Sequence, residues 1–99
     1  MKVEFACSLR SRLRGLLGRE KFDGLLVLAP CDDIHTVGMR RAIDVAFVSV
    51  DGVVLESHRN VPPNRRLRNR RAALTLERYS IEAAWYEPGD VVQFGVQRE

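Results

Sequence analysis

The sequence predicts a mainly β protein: a compact antiparallel barrel or sandwich of about six or seven strands, with an N-terminal helix packed on it and a short second helix. Short apolar runs closed by Pro, Gly or Asp predict the strands, and an Asp-Gly pair between two such runs predicts a β-hairpin. Only two stretches have a pattern typical of helices. With 99 residues the chain has the length of one domain, 1–99, and little of it is left for insertions.

The N-terminal segment predicts an edge strand followed by a helix. Lys2 to Ala6 alternates polar and apolar residues, as strands at a sheet edge do. Ser8 is a suitable N-cap for a helix that ends at Gly18. The apolar face of this helix comprises Leu9, Leu13, Leu16 and Leu17. Gly15 inside the helix costs about 1 kcal/mol relative to Ala, so we expect it to allow close approach of another backbone segment.

The middle of the chain predicts a buried strand and then a hairpin. Residues 25–29 form a continuous apolar run, which predicts a strand buried on both faces. Ile34 to Met39 is rich in β-branched residues and is expected to be extended. A strand over 44–50 precedes Asp51-Gly52, a pair that suits a type I′ turn because both central residues of that turn need positive φ.

The C-terminal part predicts a basic loop and three further elements. The second hairpin strand is expected to end near His58, because Pro62-Pro63 cannot continue a hydrogen-bonded ladder, and a loop then runs to about Arg71. The elements that follow are a strand over 73–79, a short helix over 80–86 with Ser80 as N-cap, and a final strand over 91–96.

Positive charge is concentrated in this basic loop. The chain has a net charge of +3, but residues 57–78 alone contain seven basic residues and one acidic residue. Such a potential attracts phosphate groups or an acidic protein surface, whereas the simplest alternative is a solvated basic loop. The candidate contacts are Arg59, Arg65, Arg66, Arg68, Arg70 and Arg71. No aromatic residue lies in the loop over 59–71, which argues against stacking on single-stranded nucleic acid.

The sequence gives no support for a metal or cofactor site. Cys31, His35 and Met39 are spaced by four, but on a strand each step of four residues spans about 13 Å, which is too far for one ion. Two cysteines are too few for a disulfide framework and are expected to be reduced thiols. No glycine-rich phosphate loop is present. We therefore expect no cofactor and no bound metal.

Three further expectations concern activity and location. A hydrolase site in which His35 and Asp44 act with Ser80 or Cys7 as nucleophile is conceivable, but the sequence has no nucleophile elbow and no glycine pattern for an oxyanion hole. No apolar run approaches the length of a membrane span, and Met1 to Phe5 carries charges where a signal peptide would be apolar. We expect a cytoplasmic protein, monomeric or weakly dimeric, with no membrane contact.

An ordered set of motifs resembles the family known as domain of unknown function 192. The motifs are Arg14-Gly15-Leu16-Leu17-Gly18-Arg19, Gly24-Leu25-Leu26, Ile34-His35-Thr36-Val37-Gly38-Met39 and Ile43-Asp44-Val45-Ala46-Phe47 with Asp51-Gly52. The centre is a His-Thr-x-Gly-Met variant, and Leu76-Glu77 lacks the glycine that usually follows. The resemblance implies a compact β-rich barrel or sandwich with an N-terminal helix. It implies no established reaction and no catalytic residues.

These motifs suggest where a binding pocket would form. The candidate residues, drawn from the predicted helix, the central strand and the hairpin, are Arg14, Arg19, His35, Thr36, Met39 and Asp44. We favour a small non-enzymatic ligand-binding or accessory domain whose partner is a small ligand or another protein. A sequence-independent nucleic-acid or acidic-surface binder acting through loop 59–71 is the alternative, and a hydrolase is the third hypothesis. Asp44 is expected to pair with Arg19, Arg14 or His35.

Overall fold

Residues 2–93, which the computed structural model describes, form seven strands and one helix. In chain order the elements are β1 (Val3–Ala6), α1 (Leu9–Arg14), β2 (Leu25–Leu28), β3 (Asp33–His35), β4 (Ile43–Val48), β5 (Val54–Val61), β6 (Arg66–Arg68) and β7 (Leu74–Tyr79). A five-stranded sheet has the order β1-β2-β7-β4-β5, and β3 pairs with β6 in a second sheet. The mainly β class is confirmed. The larger sheet has two edges and is therefore open, and its β1-β2 pair is parallel.

The five-stranded sheet has two buried faces, because alternate side chains of each strand point to opposite sides. The front face belongs to a cluster that includes Leu16, Leu26, Ile43, Val45, Phe47 and Tyr79. The back face belongs to a cluster that includes Leu25, Val27, Ala46, Val48, Val54 and Leu76. Ile34 of β3 and Leu67 of β6 pack on the front, and Trp85 packs on the back. Both faces of β2 are covered, as its continuous apolar run predicts.

The N-terminal helix is shorter than its apolar pattern predicts. Ser8 caps α1 in a capping box with Ser11, but the helix ends at Gly15, whose φ is 53°. Leu9 and Leu13 are each 66% exposed, whereas Leu16, in the turn beyond the helix, is 1% exposed. The prediction of a helix that extends to Gly18 and buries all four leucines is therefore wrong, because the chain turns at Gly15 to insert Leu16 into the front face.

The predicted hairpin is present, but its turn is of another kind. The Gly52 amide donates to the Ser49 carbonyl at 2.9 Å, so Val50 and Asp51 occupy the centre of the turn. Gly52 has a φ of 83°, whereas Asp51 has no positive φ. The type I′ prediction is thus wrong, and the loop is of the three-residue class that ends with a glycine in the left-handed region.

The basic segment is more ordered than a loop. β5 continues to Val61, opposite Ile43 of β4, so the strand ends just before Pro62 rather than near His58. β6 then pairs with β3 in antiparallel register. The Thr36 hydroxyl accepts from the Arg65 amide at 2.8 Å and donates to the Pro62 carbonyl at 2.7 Å, which fixes the turn between β5 and β6.

The predicted second helix over 80–86 does not form. Arg59 donates to the carbonyls of Ile81 and Ala83, and Arg78 also donates to Ala83, so side chains satisfy carbonyls that a helix would use internally. In the predicted final strand, Val91 makes an isolated bridge to Val53, and residues 94–96 lie outside the described part. Within 2–93 no helix is long and apolar enough to cross a membrane.

Candidate functional site

A cleft opens on the front face between α1 and β3, and it has two adjoining parts. The first part, called the acid cavity because Glu77 lies in its wall, has a volume of about 50 Å³. The apolar groove is larger, about 430 Å³, and opens to solvent. The acid cavity is lined by residues 12–16, 33–35, Met39, Ile43 and Glu77, and the groove by Leu9, Arg12, Leu13, residues 30–33, Ala72 and Ala73. Arg12, Leu13 and Asp33 line both parts, so the two lie side by side.

Glu77 is placed in the cavity by the register of the sheet. β7 lies between β2 and β4, and Glu77 is opposite Val45 on the front face. Glu77 is only 3% exposed. Burial raises the pKa of Glu77 to about 7, while a hydrogen bond from the Leu16 amide acts in the opposite direction. The carboxyl group is therefore poised to change charge near neutral pH.

Gly15 makes room for this carboxyl group. A Cβ atom at Gly15 would lie 2.9 Å from Oε1 of Glu77, which is closer than Cβ atoms in proteins approach other heavy atoms. The φ of 53° and ψ of −131° at Gly15 are also conformations that residues with side chains rarely adopt. The same turn directs the Leu16 amide toward Glu77. The glycine is thus needed both to end α1 and to seat the acid.

Three basic side chains line the acid cavity without pairing to Glu77. Nη1 of Arg12 donates to the Pro30 carbonyl at 2.7 Å, and Nε of Arg14 donates to the Leu17 carbonyl at 3.1 Å. Nε of Arg12 is buried without a hydrogen-bond partner. His35 is exposed, and its Nδ1 accepts from the Val37 amide at 3.3 Å, so Nε2 carries the proton of the neutral ring.

Glu77 is an exception to the charge pairing of this molecule. Asp44 and Glu77 are the two buried carboxylates among residues 2–93, and Asp44 has an arginine partner. Of the half-buried acids, Glu4, Asp33 and Glu56 contact a cationic or histidine side chain, whereas Asp32 makes no ion pair among residues 2–93. No ion pair to Glu77 occurs in the described part of the chain. Buried charges are normally paired, so this acid lacks the partner that its burial calls for.

The cleft contains half of the predicted pocket residues. Arg14, His35 and Met39 line the acid cavity. Arg19 lies elsewhere, because its guanidinium pairs with Glu4 of β1 and stacks on Phe22. Thr36 is fully buried and holds backbone groups through its hydroxyl. Asp44 points to the back face, opposite Arg78, because it alternates with Ile43 along β4.

The predicted partners of Asp44 are wrong. Its Oδ2 accepts from Nε of Arg78 at 2.8 Å, and its Oδ1 accepts from the Ser80 hydroxyl at 2.8 Å and from the Asn60 amide at 3.0 Å. Arg14, Arg19 and His35 are on the other side of the sheet or at its edge, and none contacts this carboxylate. Asp44 therefore holds β4, β5, β7 and the segment after β7 together.

The six arginines predicted to contact phosphate or an acidic surface fall into two groups, those whose side chains bind other parts of the protein and those that make no such contact to another element. Arg66 makes two hydrogen bonds to Asp33, at 3.0 and 2.5 Å, and Arg68 lies 3.9 Å from the same carboxylate. Arg59 is used by the carbonyls of Ile81 and Ala83. The remaining three, Arg65, Arg70 and Arg71, are exposed and, like Arg59, make no ion pair within 2–93. The basic surface is consequently smaller than the composition predicts.

Sequence reasoning missed the side chains that define the cavity. Glu77, Gly15 and Arg12 were not among the predicted site residues. The sequence does contain a signal for Glu77. In the strand over 73–79, alternation places Glu77 on the same face as Thr75 and Tyr79, which are buried. Its neighbours across the sheet decide that it is enclosed, and these are distant in sequence. Among residues 2–93 no group of three or more His, Cys, Asp or Glu is placed to hold a metal ion.

Comparison with known proteins supports the fold. A model of the family DUF192, described as Uncharacterized ACR, matches residues 1–94. A solved protein of unknown function from Novosphingobium aromaticivorans is 21% identical, with a TM-score of 0.82, over 95% of this chain and 75% of that one. A protein from Sinorhizobium meliloti described as a "putative transcription regulator" is also 21% identical, with a TM-score of 0.69, over 79% of this chain and 67% of the other. No curated protein matches.

Proposed function

The chain belongs to the DUF192 family, and from this premise we propose that it is a non-enzymatic protein that binds a small ligand in the cleft. The buried carboxyl group of Glu77, which has no cationic partner among residues 2–93, is the observation that carries this proposal. A buried charged group in an open cavity is stabilised when a ligand supplies the missing partner. An apolar part of the ligand could pack against the adjoining apolar groove.

The lining of the cavity favours binding over catalysis. It contains no serine, threonine or cysteine in the described part of the chain, so no side-chain nucleophile lines the acid cavity with Glu77 and His35. Cys31 lines the groove, but burial raises the pKa of its thiol, which lowers the fraction of reactive thiolate. A hydrolase that forms a covalent intermediate would need such a group beside a base.

The proposal is tested by nuclear magnetic resonance with ¹⁵N-labelled protein. A panel of small molecules, with cationic, anionic, zwitterionic and neutral members of similar size, is titrated into the protein. We expect at least one member to shift the amide signals of Gly15, Leu16 and His35. The amide of Gly52, in the distant hairpin, is the control and should not move. If no member of any charge class shifts the cleft signals, the binding proposal is wrong.

A second candidate function is supported by the free arginines. Arg65, Arg70 and Arg71 are exposed and make no ion pair within the described residues, so they present unneutralised charge to a polyanion. Binding to duplex DNA through them should be sequence-independent and should fall steeply with salt. Replacing all three by Gln should remove it, and replacing Arg66 by Gln should not. Absence of any retardation at low salt would exclude this function.

A further inference from the structure

We propose that the ligand of the cleft is a zwitterionic primary amine of the α-amino-acid class. Its ammonium group would contact Glu77, its carboxylate would face Arg12 and Arg14, and its apolar side chain would lie in the groove. This inference rests on the proposed function, since it names the chemistry of the ligand that the same cleft binds.

The first argument is the arrangement of charge. Glu77 is an acid without a cation, whereas Arg12 and Arg14, which line the same cavity, are cations without a carboxylate within residues 2–93. Both arginines donate only to backbone carbonyls, of Pro30 and Leu17. A ligand with one positive and one negative group satisfies both sides at once. An anion alone would add a second negative group beside Glu77.

The second argument is size. The acid cavity, at about 50 Å³, has room for a small polar head such as an ammonium group but not for a whole amino acid. The groove, at about 430 Å³, accommodates the rest. Its apolar walls include Leu9 and Leu13, which the short α1 leaves on the surface. Covering these two side chains removes apolar surface from water, which favours a ligand with an aliphatic body.

The third argument excludes a simple metal cation. Metal sites in proteins take several ligands, and the cavity has one buried carboxyl group, with Asp33 already bound by Arg66. An ammonium group differs, because it is satisfied by a single carboxylate together with a few neutral acceptors. Glu77 alone is therefore sufficient for an amine and insufficient for a metal ion.

The test uses three molecules that share one aliphatic body: leucine, its decarboxylated analogue 3-methylbutylamine and its deaminated analogue 4-methylpentanoate. Affinities are measured from the amide shifts of Gly15 and Leu16 and by calorimetry. We expect leucine to bind most tightly, the amine to bind at least threefold more weakly, and the carboxylate to bind at least tenfold more weakly than leucine. Substituting Glu77→Gln should weaken leucine and amine binding at least tenfold, and the matched control Glu56→Gln should leave both unchanged.

The role of the arginines is tested separately. Replacing both Arg12 and Arg14 by Gln should bring leucine affinity down to that of the amine, because only leucine carries the carboxylate that these arginines face. Equal affinities of leucine and the amine for the unmodified protein would overturn the zwitterion proposal. If 4-methylpentanoate or a neutral alcohol bound more tightly than leucine, the zwitterion proposal would be overturned, while a ligand-binding cleft would remain. If none of these molecules nor the wider panel shifts the cleft signals, the proposed function itself fails.

Binding should also depend on pH. Glu77 is faced by Arg12 and Arg14 from the α1 side, by Asp33 and His35 of β3, by Cys31 and by Tyr79 of β7. An ammonium group prefers the ionised carboxylate, so leucine affinity should rise at least threefold between pH 6 and pH 8. The rise should persist in His35→Gln and disappear in Glu77→Gln. A rise that persists in Glu77→Gln would contradict the assigned contact.

Discussion

At the residue scale, Glu77 stands out because its burial opposes folding. The pKa of this carboxyl group is raised from 4.5 to about 7 by burial, so the unfolded chain releases the proton at a lower pH than the folded one. The free energy of unfolding therefore decreases as pH rises from 4.5 to about 7, by a total of about 3 kcal/mol. Residues kept at such a cost are often functional.

The first prediction concerns Glu77→Gln. At pH 8 the substitution should raise the free energy of unfolding by about 1–3 kcal/mol, because it removes the buried charge and keeps an acceptor for the Leu16 amide. The gain should largely disappear at pH 5, where the carboxyl group of the unmodified protein is protonated. Urea denaturation at both pH values measures the difference. If Glu77→Gln instead lowered the free energy of unfolding at pH 8, the Glu77 carboxylate would have a stabilising cationic partner in the folded protein.

Asp44 presents the opposite case, a buried charge whose partners are all supplied by the fold. The side chain of Asp44 is 0% exposed and that of Arg78 is 9% exposed. Asp44→Ala should lower the free energy of unfolding by about 3–5 kcal/mol, because Arg78 would remain buried without compensation. The double variant Asp44→Ala with Arg78→Met should recover part of this loss. Chemical denaturation of both variants measures it.

His35→Ala is the matched comparison for Asp44→Ala. His35 is exposed, so its removal should cost less than about 1 kcal/mol and leave the melting transition nearly unchanged. A loss of 3 kcal/mol or more, similar to that of Asp44→Ala, would show that His35 belongs to the architecture rather than to the cleft.

At the element scale, the β4-β5 hairpin depends on Gly52 rather than on Asp51. Gly52 has a φ of 83°, and a Cβ atom there would lie 3.0 Å from the Val92 carbonyl. Gly52→Val should lower the free energy of unfolding by about 1–2 kcal/mol. Asp51→Ala should change it by less than about 0.5 kcal/mol, because Asp51 has no positive φ. Thermal unfolding of the pair checks this, and a large loss at Asp51 would favour the type I′ turn instead.

The short α1 is explained by competition between helix propagation and burial of Leu16. Continuing the helix past Gly15 would keep Leu16 on the helix surface, whereas the turn at Gly15 inserts it beside Phe47 and Tyr79 in the front cluster. The Tyr79 hydroxyl donates to the Leu16 carbonyl at 2.9 Å and fixes that position. The same turn leaves Leu9 and Leu13 exposed at the groove, so the end of this helix shapes the candidate site.

At the scale of the whole molecule, the ionisable groups predict a stability maximum at mildly acidic pH. The side-chain hydrogen bonds of Arg19, Arg66 and His58 lower the pKa of Glu4, Asp33 and Glu56 respectively, so the stability that these acids contribute is lost as pH falls below about 4. Glu77 acts in the opposite direction between pH 4.5 and about 7.

Urea denaturation from pH 3 to pH 9 should therefore show a maximum near pH 5. In Glu77→Gln the decline between pH 5 and pH 7 should be much smaller, while the acid limb should remain. Glu56→Gln is the matched control, because it should alter the acid limb and leave the decline above pH 5. A profile that rises steadily to pH 8 would contradict the burial of an unpaired Glu77.

Interactions between residues close in sequence determine several elements of this protein, and these elements could be predicted from the sequence. The apolar run at 25–29 is a buried strand, Ser8 caps the helix, and a glycine with positive φ closes the hairpin. Each depends on residues only a few positions apart, so periodicity, capping and turn chemistry were sufficient. The motif order also gave the family, which the match over residues 1–94 confirms.

The tertiary structure alone decided the partners of charged side chains and the position of the cleft. Asp44 pairs with a residue 34 positions away, and Glu77 meets the turn at Gly15, because β7 is inserted between β2 and β4. Alternation and the β4-β7 register place these two acids on opposite faces, Asp44 paired with Arg78 and Glu77 in the wall of the acid cavity. Alternation within a strand indicates which residues share a face, but not which distant strand adjoins it, and that adjacency determines whether a buried charge is paired.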